Sequence, residues 1–132
     1  MPNLKKYQVF APEVDFLAFP DHYVNIVGKI AYADLAGLAK TDVAGNQVIK
    51  RGTLVNMDAD GVVKKCTSTL KPNAIIFNTI KIADYDNGVD DFVNATVLVH
   101  GFVRADRLTL LDANATVALL KGENPMIYVV SK

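Results

Sequence analysis

The strongest constraint on the fold is a series of short apolar segments between residues 48 and 103, each separated from the next by a turn signal. Residues 53–55 and 62–66 flank a turn rich in Asp, Asn and Gly, which predicts a β-hairpin. Residues 92–103 alternate between apolar and mixed positions, the pattern of a strand with one buried face. The middle of the chain is therefore predicted to be rich in β-strands.

The strand-like segment between these two regions changes phase. Ile75 and Phe77 share one parity, whereas Ile80 and Ile82 share the other. Because successive side chains of a strand point to opposite faces, an unbroken strand would put these two pairs on different faces. A bulge or kink is therefore predicted near residues 78–79.

Outside this region, the pattern predicts a short strand at residues 23–27 and a loop or short helix at residues 29–40. Asp106 is predicted to be a helix N-cap and Gly122 a C-terminal cap, with one C-terminal helix between them. The apolar sequence of residues 126–130 predicts a final strand. The predicted fold class is mainly β with minor α (α+β): a small β-sandwich or barrel-like domain of mixed strands, one C-terminal helix and an extended N-terminal arm.

The first twenty residues differ from the rest because Pro2, Pro12 and Pro20 interrupt a segment rich in large apolar side chains. Each proline removes a backbone donor and fixes φ, which discourages regular secondary structure. The apolar groups nevertheless argue against a solvated tail, which would rarely hold so many of them. Two interpretations stay open: an edge strand packed on its own domain, or an arm that becomes ordered when it adds to another chain. We divide the chain into an N-terminal arm, residues 1–20, and a single β-rich domain, residues 21–132.

Composition excludes several classes of function. Fourteen basic and fourteen acidic residues give a net charge of zero, which argues against a general nucleic-acid binder. No apolar run approaches the ~20 residues needed to span a bilayer, so no membrane partner is expected. Cys66 is the only cysteine and forms no internal disulfide, which suits a reducing compartment. No motif around it indicates an activating base, so we interpret it as a small side chain in or near a strand.

The polar residues do not form a recognisable catalytic or metal-binding pattern. The segment that starts at Asp58 resembles part of a calcium loop, but the place of the final bidentate glutamate falls on Thr69. His22 and His100 lack the spacing of a zinc site. The aspartates of residues 84–91 occur with Asn and Gly, which predicts a solvated turn rather than paired catalytic carboxylates. We therefore predict no catalytic residue, no cofactor and no metal.

Three stretches resemble the lambda-type head decoration proteins of tailed phages. They are Ile-Lys-Arg-Gly-Thr-Leu-Val at residues 49–55, Ala-Ile-Ile-Phe at 74–77 with the later acidic turn at 84–86, and Ala-Thr-Val-Leu-Val-His-Gly-Phe-Val at 95–103. Members of that family are not enzymes. The resemblance implies trimers at local threefold positions of the expanded capsid, which hold neighbouring capsid subunits together against the pressure of packaged DNA.

The resemblance also implies an N-terminal arm that becomes ordered on the capsid. We expect a homotrimer that binds the major capsid protein on the capsid exterior of the virion, after synthesis in the host cytoplasm. The arm would add as a strand to the capsid protein, and its predicted contact residues are Leu4, Tyr7, Val9 and Phe10. The alternatives are another minor phage structural subunit, such as a head-fibre base, and a small ligand-binding or enzymatic β domain.

Overall fold

The structure, a computed structural model, describes residues 16–18, 22–86 and 88–130. Strands hold 41% of the residues and helical segments 18%, which confirms the predicted mainly β class. In chain order the strands and α-helices are β1 (Tyr23–Ala31), α1 (Leu35–Leu38), β2 (Lys40–Thr41), β3 (Gln47–Ile49), β4 (Leu54–Met57), β5 (Val63–Lys64), β6 (Ala74–Ile76), β7 (Ile80–Lys81), β8 (Phe92–Arg104), α2 (Val117–Glu123) and β9 (Ile127–Val130). Single 3-10 turns lie at Tyr32–Asp34, Ile82–Asp84 and Ala105–Arg107.

The main sheet closes on itself as a small barrel. Its strand order is β1-β8-β6-β4-β5, and β9 adds to β8 in parallel while the other neighbours are antiparallel. The two end strands meet where the Lys29 N–H donates to the Gly61 carbonyl at 2.9 Å, beside a bridge between Lys29 and Val62. Strands β2, β3 and β7 form a second, three-stranded sheet. The predicted barrel-like arrangement of mixed strands is therefore present.

The closure requires a glycine at position 28. A Cβ atom there would lie 2.8 Å from Cγ2 of Val63 and 2.9 Å from the carbonyl oxygen of Gly61. Both distances are shorter than real Cβ contacts, so any larger residue at Gly28 would push β1 away from β5.

Two hydrophobic clusters lie on opposite faces of the main sheet. Adjacent residues of β4, β6 and β8 divide between them, as alternation along a strand requires. The inner cluster, inside the barrel, consists of Ile30, Leu35, Leu38, Ile49, Val55, Val63, Ala74, Ile76, Ile80, Val93, Ala95 and Val97. The outer cluster consists of Phe16, Leu17, Leu54, Cys66, Ile75, Leu98, Val103, Ala115, Leu120, Ile127 and Val129.

Two local predictions are confirmed, the hairpin of β4 and β5 and the strand at β8. The kink predicted near residues 78–79 is a complete break, because the segment predicted to be one strand forms β6 and β7, which belong to different sheets. β8 covers the predicted alternating strand, but Val99 is an extra residue opposite the step from Val24 to Asn25 of β1. This bulge exchanges the faces of the strand, so that Val103 lies in the outer cluster although Val93 and Val97, of the same parity, lie in the inner cluster.

The predicted start and end of the C-terminal helix are wrong. Asp106 lies in a 3-10 turn, and α2 begins after Thr116, whose hydroxyl accepts a hydrogen bond from the Leu119 N–H at 3.3 Å. Gly122 lies inside the helix rather than beyond it. The predicted strand at residues 23–27 also continues further, to the end of β1.

A long-range contact explains the displaced helix start. The N–H of Thr109 donates to the Gly52 carbonyl at 2.9 Å, and the Thr109 carbonyl accepts from the Leu54 N–H at 3.2 Å. These bonds hold the chain after Asp106 in an extended path beside β4. A helix from Asp106 would instead need the Thr109 carbonyl to accept from the backbone N–H four residues later in the same helix.

Candidate interaction surface

The predicted arm divides into a part outside the described residues and a part buried in the body. The predicted capsid-contact residues lie outside the described residues: Leu4, Tyr7, Val9 and Phe10. Phe16 and Leu17, which also fall within the predicted arm, are buried in the outer cluster. The Ala18 N–H donates to the Phe102 carbonyl at 2.9 Å, and the Arg104 N–H donates to the Phe16 carbonyl at 2.8 Å. Residues 16–18 are thus tied along the end of β8.

An aromatic group fixes Phe16 beside the start of β1. The Arg51 guanidinium carbon lies 5.4 Å from the ring centroids of both Phe16 and Phe77. Phe77 also contacts the ring of Tyr23, with centroids 5.0 Å apart. Apolar burial and cation–π attraction therefore hold the point at which the chain enters the body.

The first half of β1 is an open sheet edge. Gly28 and Lys29 are covered by the turn before β5, but no strand of the described chain pairs with the outer edge of β1 before them. Because backbone groups alternate along a strand and the Lys29 N–H points away from β8, the groups of Asn25 and Val27 point away as well. Their N–H and C=O groups find no backbone partner within the described residues.

Apolar side chains flank this open edge on both sides. The exposed fractions are 42% for Tyr23, 49% for Val24, 40% for Ile26 and 68% for Val27. Tyr23 and Val27 share one side of the strand, and Val24 and Ile26 share the other. Exposed apolar groups are ordinary when scattered, but a contiguous set beside unpaired backbone groups marks an interaction surface.

A second apolar region lies on β9. The rings of Phe102 and Tyr128 are cross-strand partners with centroids 5.7 Å apart, and Tyr128 is 62% exposed. Nearby, an open depression of about 300 Å³ is lined by Lys121, Pro125, Ile127, Tyr128 and Val129. These residues do not include the converging ionisable groups of a catalytic pocket.

Asp58, at which the partial calcium-loop pattern begins, has a structural role. Oδ1 of Asp58 accepts from the N–H groups of Asp60 and Val62 at 2.9 and 3.0 Å, so it closes the hairpin turn. Within the described ranges, no group of three or more His, Cys, Asp or Glu side chains is placed to hold a metal ion.

Cys66 is a buried thiol of the outer cluster. Its Sγ lies 3.8 Å from the Leu54 carbonyl, and its side chain is 2% exposed. Burial, and secondarily the charge of Asp112, raise the pKa of Cys66 from 9.0 to about 11. The thiol is therefore protonated near neutral pH and is a poor nucleophile, in agreement with its interpretation as a small packed side chain.

Comparison with known proteins identifies no relative: no family model, curated protein or solved structure matches this chain. The resemblance to phage decoration proteins therefore stays a prediction. Among the described residues, no helix has both the length and the apolar character needed to cross a membrane.

The open edge of β1 is the feature that sequence reasoning did not single out. The segment Tyr-Val-Asn-Ile-Val was predicted to be a strand, and it is one. Nothing in those five residues distinguishes a strand inside a sheet from one at an edge. The absence of charge and proline in this segment would rather have favoured an interior strand, so the sequence carried no signal of the open edge.

Proposed function

We propose that this protein is a structural subunit of a tailed-phage virion that decorates the head and stabilises the capsid by binding. The resemblance of residues 49–55, 74–77 and 95–103 supplies the role. The observation that carries the proposal is the burial of Phe16 and Leu17 against β8. It anchors the N-terminal segment to the folded domain, and an arm that holds another protein needs such an anchor.

In this proposal the protein binds as a homotrimer at local threefold positions, and each arm adds as a strand to the major capsid protein. Leu4, Tyr7, Val9 and Phe10 are the proposed contacts. Backbone hydrogen bonds contribute about 1 kcal/mol each, and two or three buried side chains about 2 kcal/mol each. Ordering the arm costs a similar total, so one arm binds weakly. Three arms on one trimer bind tightly because each raises the effective concentration of the others.

Co-sedimentation with heads before and after expansion tests the proposal. The heads are those of the phage whose genome carries this sequence, prepared without this protein. We expect the full chain to bind expanded heads, and a variant without residues 1–12 to lose binding while it keeps Phe16, Leu17 and the folded body. Circular dichroism and sedimentation velocity check that the shortened protein keeps its fold and assembly state.

A pair of matched variants separates side-chain contacts from length. The double substitution of Tyr7→Ser and Val9→Ser removes two proposed contacts and should reduce binding at least tenfold. The control pair, Lys5→Ser and Gln8→Ser, changes polar residues of the same segment and should bind like the full chain. Undiminished binding by the shortened protein would refute the arm mechanism. Binding at only a few copies per head would instead favour another minor virion subunit, such as a head-fibre base.

A further inference from the structure

We propose that the open edge of β1 binds a second copy of this chain by antiparallel strand pairing about a two-fold axis at Asn25. This contact is separate from the threefold contact of the proposed function and does not depend on it. Threefold assemblies would be linked to one another through it.

The first half of β1 lacks the features with which proteins normally protect an edge strand. Between Tyr23 and Val27 there is no charged residue and no proline. The bulge of this strand pair lies in β8 at Val99, so it does not distort the free edge of β1. An exposed, regular and apolar edge of this kind pairs readily with another strand.

Two copies of this edge fit each other. With Asn25 opposite Asn25 of the second copy, Val27 lies opposite Tyr23 and Ile26 lies opposite Val24. The outward backbone groups then form about six hydrogen bonds, the largest number that any register of this edge allows. Exposed apolar side chains meet exposed apolar side chains on both sides of the new strand pair. Oδ1 of Asn25 has no hydrogen-bond partner in the described chain. After rotation of the amide, it can accept a hydrogen bond from the Asn25 amide of the second copy.

The charge at the end of the edge favours the antiparallel direction. Lys29 stands two residues after Val27. Parallel pairing in register would place the Lys29 side chains of the two copies side by side, whereas antiparallel pairing about Asn25 separates them. The partner that this edge fits best is therefore a second copy of itself. Because the other edge of β1 is occupied by β8, the pairing stops at two copies.

Disulfide trapping tests the axis. In hydrogen-bonded antiparallel pairs the Cα atoms lie about 5.5 Å apart, within the range that a disulfide spans. Under mild oxidation Asn25→Cys should form a covalent dimer on a non-reducing denaturing gel. Val27→Cys should not, since its mate in the second copy lies about 14 Å away along the strand. Val43→Cys, at a position that is 90% exposed in a turn, measures linking by random collision.

Sedimentation equilibrium tests the contact without a covalent link. The mass of the wild-type assembly should double as the protein concentration rises. Val27→Lys should raise the dissociation constant of this association at least tenfold, because it puts a charge on the edge. Val43→Lys, which adds the same charge elsewhere, should leave it unchanged. Asn25→Cys that links no faster than Val43→Cys, or Val27→Lys that associates like the wild type, would overturn the proposal. If the protein forms a threefold assembly that neither Asn25→Cys nor Val27→Lys affects, the pairing through β1 is overturned and the decoration role is left intact.

Discussion

Replacing Gly28 with alanine tests whether the contact between β1 and β5 closes the barrel. The added Cβ would lie 2.8 Å from Cγ2 of Val63 and 2.9 Å from the Gly61 carbonyl oxygen. Neither atom moves easily, because Val63 is fully buried with a restricted χ1 and Gly61 contributes backbone from a tight turn. The strands must therefore separate.

The expected cost follows from these contacts. Overpacking a buried position by one methyl group costs about 1–3 kcal/mol. Because the new Cβ would meet two atoms that cannot move away, we expect Gly28→Ala to lie near the upper end of this range. Separation of the strands also lengthens the hydrogen bond from the Lys29 N–H to the Gly61 carbonyl, now 2.9 Å, which is worth about 1 kcal/mol. We expect the free energy of unfolding to fall by about 2–3 kcal/mol. For a chain of this size that lowers the Tm by roughly 8–12 °C.

Urea denaturation of the wild type and two glycine variants measures the effect. Gly37→Ala is the matched control, because a Cβ at Gly37 in α1 meets nothing within 4 Å. Alanine has the higher helix propensity, so this control should be unchanged or more stable by about 0.5–1 kcal/mol. If Gly28→Ala unfolds within 0.5 kcal/mol of the wild type while Gly37→Ala behaves as expected, the closure of the barrel at Gly28 is wrong.

Four further outcomes are expected. Native Cys66, with its pKa raised to about 11, should react with iodoacetamide far more slowly at pH 8 than the same residue in urea, and equal rates would contradict its burial. Because this thiol ionises more readily when unfolded, stability should fall as the pH rises from 9 toward 11, and Cys66→Ala should remove that loss. Asn124→Ala loses two bonds that its amide donates to backbone carbonyls, at 2.7 and 3.1 Å, and should unfold about 2 kcal/mol more easily in urea, whereas the exposed Asn94→Ala should not. Asp58→Ala should lower the Tm by a few degrees through loss of its two turn bonds, and Asp58→Asn, which keeps an acceptor oxygen, should restore most of it.

The site could be predicted only in part. The sequence identified the first twenty residues as unusual, and the structure places Phe16 and Leu17 of that segment in the outer cluster. The proposed contacts at Leu4, Tyr7, Val9 and Phe10 lie outside the described residues and stay a prediction. An apolar side chain fits a core and an interface equally well, so pattern alone cannot separate a buried anchor from an exposed contact.

Features decided by neighbouring residues were determined by the sequence itself. The hairpin turn at Asp58 is closed by the aspartate's own bonds to residues two and four positions later. The alternation of β8 before its bulge and the change of phase between β6 and β7 follow from the two-residue period of a strand. These choices depend on φ, ψ and side-chain parity, which are local quantities.

Only the tertiary structure decided where distant segments meet. The helix predicted from Asp106 starts later because Thr109 exchanges hydrogen bonds with residues 52 and 54, more than fifty positions earlier. β1 is open at Asn25 and Val27 because β5 is too short to cover more than its end. A backbone hydrogen bond is satisfied by any strand that arrives beside it, and the amino acids of one strand do not state which strand will arrive.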